Sequence, residues 1–276
     1  MIEFLPAQPL ALVSLNRRSG IVLDVGYSET VVLPVVSLCP MPYAMKAASV
    51  GSRSIHGRIS QLLHRYSPLL PSGFILEDGI DSDAESKPLL HQLDALILED
   101  LCRQLCFVSP LGSHPEPVSK QYVPYVDRFS RLYRISREIR AHAADVLFKN
   151  EDEEMPTVVE TVLASLLALP VDLRVKMAHK IILIGGVSMV RGFETRLIQE
   201  LEHHVKTNAK FAALSPLSGH FELIDSPTFY QPHLPWIGAS IESVIEGAHS
   251  ANQLQQSDFN NGKKAIPDWT SLSSFS

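Results

Sequence analysis

Cysteine, tryptophan, excess positive charge and long apolar runs are all scarce in this chain of 276 residues. Its cysteines, Cys39, Cys102 and Cys106, are odd in number and too few for a disulfide framework. The N-terminus carries no basic leader of the secretory kind. Both features fit a reducing, intracellular compartment. Lys and Arg total 24 against 30 Asp and Glu, a formal net charge of −6. That balance is poor for neutralising a phosphate backbone, so nucleic-acid binding is disfavoured as a general role. The longest apolar stretch, Thr161 to Val171, falls short of the roughly 18 residues that a bilayer span needs, and Pro170 interrupts it. No transmembrane helix is expected. What is present, 45% hydrophobic and 20% charged residues, supports one sizeable core or two modest ones and excludes a disordered or collagenous chain.

Catalytic signatures are equally thin. Gly186-Val187-Ser188-Met189-Val190 lacks the last glycine of a nucleophile elbow, which disfavours a serine hydrolase. Cys102 and Cys106 are four apart on an apolar segment with Cys39 distant, which suits core packing better than a zinc site wanting four ligands. The 11 histidines, His203-His204 included, show no H-E-x-x-H spacing. No catalytic residue and no metal ligand is assigned.

Periodicity gives the elements. Ile21-Val22-Leu23 and Thr30-Val31-Val32-Leu33 flank a polar tip of Asp24, Gly26, Tyr27, Ser28 and Glu29, which predicts a β-hairpin. Ile55, Ile59, Leu62, Leu63 and Tyr66 recur at helical spacing between Gly51-Ser52 and Pro68. A Pro-, Gly- and acid-rich loop from Pro68 to Pro88 separates them from a second helix marked by Leu89, Leu90, Leu93, Leu96, Ile97, Leu101 and Leu105. Prolines between Pro110 and Pro124 mark another loop. From Asp127 to Asn150 the spacing again reads as helix, with arginines at 128, 131, 134, 137 and 140. A step of three slips about 60° per repeat, so these arginines spiral, as a solvated face or as a docking patch for an acidic partner. The acids at 151–154 ahead of Pro156 suit the start of a helix running through Leu169.

Ile181-Ile182-Leu183-Ile184 is short and apolar enough for a strand buried on both faces. Gly185-Gly186 turns it, and Phe193, Leu197, Leu201 and Val205 follow as a helix. Glycines at such a turn either pack tightly or let backbone N–H groups approach an anionic or nucleotide ligand. The hairpin tip echoes this unit: Gly26 permits close approach, and Asp24 either makes the turn or supports a cation or water.

These residues carry a resemblance. Gly20-Ile21-Val22-Leu23-Asp24 and Gly26 resemble the second phosphate loop of the actin superfamily. Val171-Asp172-Leu173-Arg174, then Gly185-Gly186-Val187-Ser188-Met189 and Gly192, resemble the family's approach to its adenosine loop. Trp236-Ile237-Gly238-Ala239-Ser240-Ile241 is similar to its C-terminal Trp-Ile-Gly-Gly-Ser-Ile segment. Cys106-Phe107-Val108-Ser109, the short insertion and Ile266-Pro267-Asp268-Trp269 are most similar to the actin-related proteins of the dynactin pointed end. The likeness runs from about Gln8 to Trp269.

The resemblance implies an α/β actin-like fold, as in actin, sugar kinases and heat-shock ATPases, with a mixed sheet, flanking helices and the N-terminal lobe largely absent. It divides the chain into an actin-like core at 1–49 and 150–245, an inserted helical subdomain at 50–149 and a tail at 246–276. The tail is polar from Ala248 until Ile266 and Trp269, an aromatic anchor for a neighbour or for its own domain. Asp24, Gly26, Gly185, Gly186 and Met189 are the remaining nucleotide contacts, with ATP or ADP left open as the ligand. Departures accumulate around them. Val25, Tyr27 and Ser28 replace a serine, an aspartate and a glycine, and Val31 replaces the histidine that positions the hydrolytic water. Cys102 and Arg103 replace the adenine-side lysine and glutamate, and Val190 the tyrosine against the base. The implied function is a non-catalytic cytoplasmic, cytoskeletal subunit, hetero-oligomeric with a dynactin filament and pointed-end subunits, that supports dynein-based microtubule transport. The alternative is a nucleotide-binding ATPase of the same superfamily.

Overall fold

The computed structural model describes residues 2–66, 93–113, 122–129, 132–149, 155–226, 228–244 and 253–262. In chain order the strands are β1 (Ile2–Glu3), β2 (Gly20–Val25), β3 (Thr30–Val36), β4 (Cys39–Pro40), β5 (Lys46–Ala48), β6 (Tyr122–Val126), β7 (Leu132–Ser136), β8 (Ile181–Ile184) and β9 (Gln253–Leu254). The helices are α1 (Ala7–Ser14), α2 (Ser52–Tyr66), α3 (Ala95–Leu105), α4 (Arg137–His142), α5 (Val158–Ala168), α6 (Val171–Ala178), α7 (Phe193–Thr207), α8 (Leu234–Glu242) and α9 (Gln256–Asn260).

Alternation along β2 explains why the central sheet has two cores. Ile21, Leu23 and Val25 face a large cluster with Leu183, Ile55, Leu101 and Val162, whereas Val22 faces a smaller one with Leu12, Leu33, Val35, Ile182 and Leu234. The sheet order is β4-β3-β2-β8, with β5 also on β3. β2 and β3 form the expected antiparallel hairpin, Gly20 opposite Val35 and Val25 opposite Thr30. β8 runs parallel to β2, pairing Ile21 with Ile181 and Asp24 with Ile184, and is buried throughout. This is the mixed sheet with flanking helices that the resemblance implies. The smaller core is closed by α1 and α8, which meet backbone to backbone: a Cβ on Gly238 would lie 1.8 Å from the Leu10 carbonyl oxygen.

Three boundaries differ from the sequence reading. The Asp127–Asn150 helix is not formed. Tyr122–Val126 and Leu132–Ser136 pair as a hairpin, followed by α4 and a short 3-10 turn at Ala143–Leu147. Tyr125 and Ile135 are buried from this ribbon, and the Asp127 carboxylate accepts from the Phe129 N–H at 2.8 Å and the Tyr133 hydroxyl at 3.1 Å, fastening the bend. Pro124 lies in a ribbon that is two-stranded among the described residues, where both strands are edges and a proline is tolerated. The arginine spiral dissolves accordingly. Arg128 pairs with Asp94, whereas Arg140 donates to the Leu105 carbonyl at 3.2 Å and stacks 5.6 Å from the Phe107 ring centre. Arg131 and the Arg134 side chain lie outside the described residues.

The second helix begins at Ala95, because the Asp94 carboxylate caps it by accepting from the Leu96 N–H. Leu89 and Leu90 lie outside the described residues. The third correction concerns α5, which starts at Val158 through a capping box: Glu160 N–H to Thr157 hydroxyl at 3.1 Å, Thr157 N–H to Glu160 carboxylate at 3.0 Å. The acids at 151–154 lie outside the described residues and upstream of that start. Ile266 and Trp269 are likewise outside them. Among the described residues no helix is long and apolar enough to cross a membrane.

Candidate functional site

Parallel pairing in register forces β2 and β8 to turn at the same end of the sheet. Asp24 stands opposite Ile184, so Gly185 comes up beside Val25, one residue before Gly26. Gly185 takes φ +87°, and a Cβ there would lie 2.3 Å from the Val25 carbonyl oxygen and 2.7 Å from Asp24 Oδ1. A side chain would therefore push the two turns apart. The hairpin tip is pinned to α2. Gly26 N–H donates to the Glu29 carbonyl at 3.0 Å, while the Gly26 and Tyr27 carbonyls accept from the Ser52 and Arg53 N–H groups at 3.1 and 2.9 Å.

Beyond Gly185 the chain does not enter a helix at once. Gly186–Met189 is a 3-10 turn, closed by the Ser188 hydroxyl on the Gly185 carbonyl at 2.7 Å. α7 begins only at Phe193, after Gly192 at φ +85°, whose absent Cβ makes room for the Val108 carbonyl. The expected strand, glycine turn and helix are thus separated by a turn, and the helix N-terminus does not follow directly on Gly185-Gly186.

A cleft of about 320 Å³ opens between these elements. The hairpin tip and α2 give it Gly26, Tyr27, Ser52 and His56; α3 gives Glu99, Cys102 and Arg103. The opposite wall is Gly186, Val187, Met189 and Val190. Of the five expected contacts, Gly26, Gly186 and Met189 line the cleft. Asp24 and Gly185 stand against each other behind it. Burial, reinforced by the Glu29 charge, pushes the Asp24 carboxyl above its ordinary range. A second cavity of about 310 Å³ lies beyond Met189 and Val190, bordered by Arg191, Gly192, Thr195, Phe229 and Tyr230.

His56 is the cleft residue that the sequence reading missed. It is 5% exposed, and both ring nitrogens are buried without a hydrogen-bond partner. Tyr27 meets its ring edge to face, with centres 5.9 Å apart. Burial lowers the imidazole's pKa and outweighs the opposing Glu99 charge. Its only signal in sequence is a polar residue beside Ile55 and Ile59 on the core-facing stripe of α2. On α3, Glu99, Cys102 and Arg103 share a face by their i, i+3, i+4 spacing. The Cys102 thiol, engaged by Cys106, is held below its ordinary pKa, and Cys106 is pushed up by that same contact and then by burial. Among the described residues no three metal-ligating side chains converge.

The Actin family matches this sequence over residues 4–261. The chain belongs to the actin family. Actin-related protein 10 of Dictyostelium discoideum is 28% identical to it, over 95% of this chain and 61% of that protein. Actin-like protein 9 of Mus musculus is 24% identical, over 93% of this chain and 55% of that protein. The chain therefore spans a little over half the length of these relatives. Of the positions read as departures from the family pattern, Tyr27, Cys102, Arg103 and Val190 line this cleft, whereas Val25, Ser28 and Val31 do not.

Proposed function

We propose that this actin-related chain is a non-catalytic subunit of a dynactin-type assembly, seated at the pointed end of its actin-related filament and supporting dynein-based microtubule transport. Similarity to Actin-related protein 10 across 95% of the chain carries this reading. The chemistry of the cleft supports the non-catalytic part. Val31 cannot orient a water, Glu29 adds negative charge beside Asp24, and the hairpin-tip contacts already occupy the Gly26 N–H. Asp24, Gly26, Gly185, Gly186 and Met189 are then vestiges of a nucleotide site that now hold two turns together. The segment 50–149 is an insertion whose Ile55, Leu101 and Ile135 join the core of Ile21 and Leu183. The subunit is cytoplasmic, cytoskeletal and hetero-oligomeric, with filament and pointed-end subunits as its partners. Affinity capture of the tagged chain from cells should recover those subunits; a clean monomer overturns the reading.

The second reading, a nucleotide-binding ATPase, is favoured by one observation: Gly26 and Gly186 still face each other across a cleft of nucleotide-fragment size. Binding to the native state must raise the melting temperature. Absence of a shift in millimolar Mg-ATP removes it.

A further inference from the structure

Two pairs of histidines differ in whether their nitrogens can act together. His203 and His204 are consecutive on α7, so their side chains leave the helix in different directions, with ring centres 6.1 Å apart. His179 and His220 are remote in sequence and meet: His220 Nδ1 lies 3.0 Å from His179 Nε2, with ring centres 4.9 Å apart and planes at 80°. The backbone holds both rings in place. His179 caps the C-terminus of α6. The chain beyond His220 runs alongside, Glu222 N–H donating to the Ala178 carbonyl at 3.0 Å and Ile181 N–H to the Glu222 carbonyl at 3.0 Å. On its other side His220 follows Gly219, which has φ +80° and whose N–H donates to the Glu202 carboxylate at 2.6 Å. The Glu222 carboxylate lies 3.3 Å from His179 Nδ1. Its negative charge draws the imidazole proton to Nδ1, which leaves the Nε2 lone pair on the side of His220. The His179 side chain is 34% exposed, so ions in solution reach the pair.

We propose that His179 and His220 chelate a divalent transition-metal ion of the copper or nickel type, through Nε2 and Nδ1 respectively, with water completing the coordination. Metal-to-imidazole bonds are about 2.0–2.1 Å, so nitrogens 3.0 Å apart subtend a little over about 90° at a shared ion. That is the angle between neighbouring ligands in the tetragonal sites of Cu²⁺ and Ni²⁺. A tetrahedral Zn²⁺ needs its nitrogens about 3.3–3.4 Å apart and has to push the rings outward. Mg²⁺ and Ca²⁺ want oxygen ligands and find none between the rings. His220 supplies its Nδ1 lone pair by carrying its proton on Nε2, so the neutral pair releases no proton on binding. Glu222, beside the opposite nitrogen of His179, stays outside the coordination and steadies that ring. Among the described residues no third protein donor converges there, which sets the affinity of a surface chelate. The ion ties the end of α6 to the segment bridged to β8 at Leu223. This inference goes beyond the assembly reading and does not rest on it.

The test is a calorimetric and thermal-shift titration of the untagged full chain with Ni²⁺, Cu²⁺, Zn²⁺ and Mg²⁺ salts at neutral pH. Ni²⁺ should bind one equivalent with a Kd at or below about 100 μM and raise the melting temperature, Zn²⁺ should bind more weakly, and Mg²⁺ not at all. His179→Gln and His220→Gln, both at half-buried positions, should each weaken Ni²⁺ binding at least about tenfold. Glu222→Ala leaves both donors in place and should weaken it by a smaller factor. Electron paramagnetic resonance of the Cu²⁺-loaded wild type, with the exposed Cys39 alkylated, should show two imidazole nitrogens, a readout that requires neither variant to fold. Fewer than two nitrogens, tighter binding of Zn²⁺ than of Ni²⁺, Ni²⁺ affinity unchanged in both histidine variants, or no saturable binding by about 1 mM overturns the site.

Discussion

Arg196 and His56 are equally buried polar side chains, 4% and 5% exposed, and they are treated in opposite ways. Arg196, on α7, donates to Glu200 at 2.7 Å and to the Ser109 carbonyl at 2.7 Å, lies 3.8 Å from Asp145, and stacks 5.3 Å from the Phe148 ring centre. Its charge is answered on every side, so its role is to tie the segment after α3 to α7. His56 lies in the wall of a cleft with neither nitrogen answered. A buried group with all its partners specifies structure, while one with none costs stability.

Breaking the satisfied group should have the largest effect. Arg196→Ala strands Glu200 and the Ser109 carbonyl and should cost about 3–5 kcal/mol in urea denaturation; a loss below about 1 kcal/mol would make Arg196 a bystander. Removing the unsatisfied group should do the reverse. His56→Phe deletes two unpaired nitrogens and should stabilise the unliganded chain by about 1 kcal/mol. It should also flatten the pH dependence. With its pKa lowered by folding, His56 binds its proton more readily when unfolded, so wild-type stability falls as pH drops below 6.5 and the variant should lose that slope.

Asp24 offers a smaller contrast of the same kind. Its carboxyl is pushed up, so its ionised form opposes folding, and stability is lost as pH rises from 3.8 through the folded value. Asp24→Asn should stabilise the chain at neutral pH by less than about 1 kcal/mol, given its partial exposure to water, seen as a small rise in melting temperature. Asp145 titrates the other way. Burial alone would push it up, but the His142 hydrogen bond and the charges of Lys149, His142 and Arg196 hold it below its ordinary range. Its contribution is present above 3.8 and fades as pH falls through the lower folded value. The smallest predicted effect is therefore an acid-limb slope that Asp145→Asn should reduce, measured by melting between about pH 2 and 5.

Local pattern made much of the fold legible. Gly20 to Val36 alternates around a polar tip, and Ile181–Ile184 is too short and too uniformly apolar for anything but a buried strand, so both appear where the residues imply. The hairpin at Tyr122–Ser136 was hidden because arginines three apart imitate a helical period over a segment whose strands are only five residues each. Tertiary context decided there: Tyr125 and Ile135 reach the core only from a ribbon. The turn glycines were legible as turns, and parallel register brings them to the same end of the sheet. His56 was not legible, since an absence of partners is a property of the packed molecule and leaves no mark on neighbouring letters. Arg196 and Glu200 are four apart, as any surface pair would be, and only burial distinguishes them.

The contact of Gly238 with Leu10 has a consequence for how the protein is made. Leu12 and Leu234, about 220 positions apart, cover the same side of the sheet, and Ile2 pairs with Leu254 in a ladder that joins regions equally remote. During synthesis α1 can reach that side early, but its cover is not complete until α8 has been made. Until then that flank of Val22, Val35 and Ile182 is only partly covered, and anything larger than hydrogen at position 238 would block the final latch.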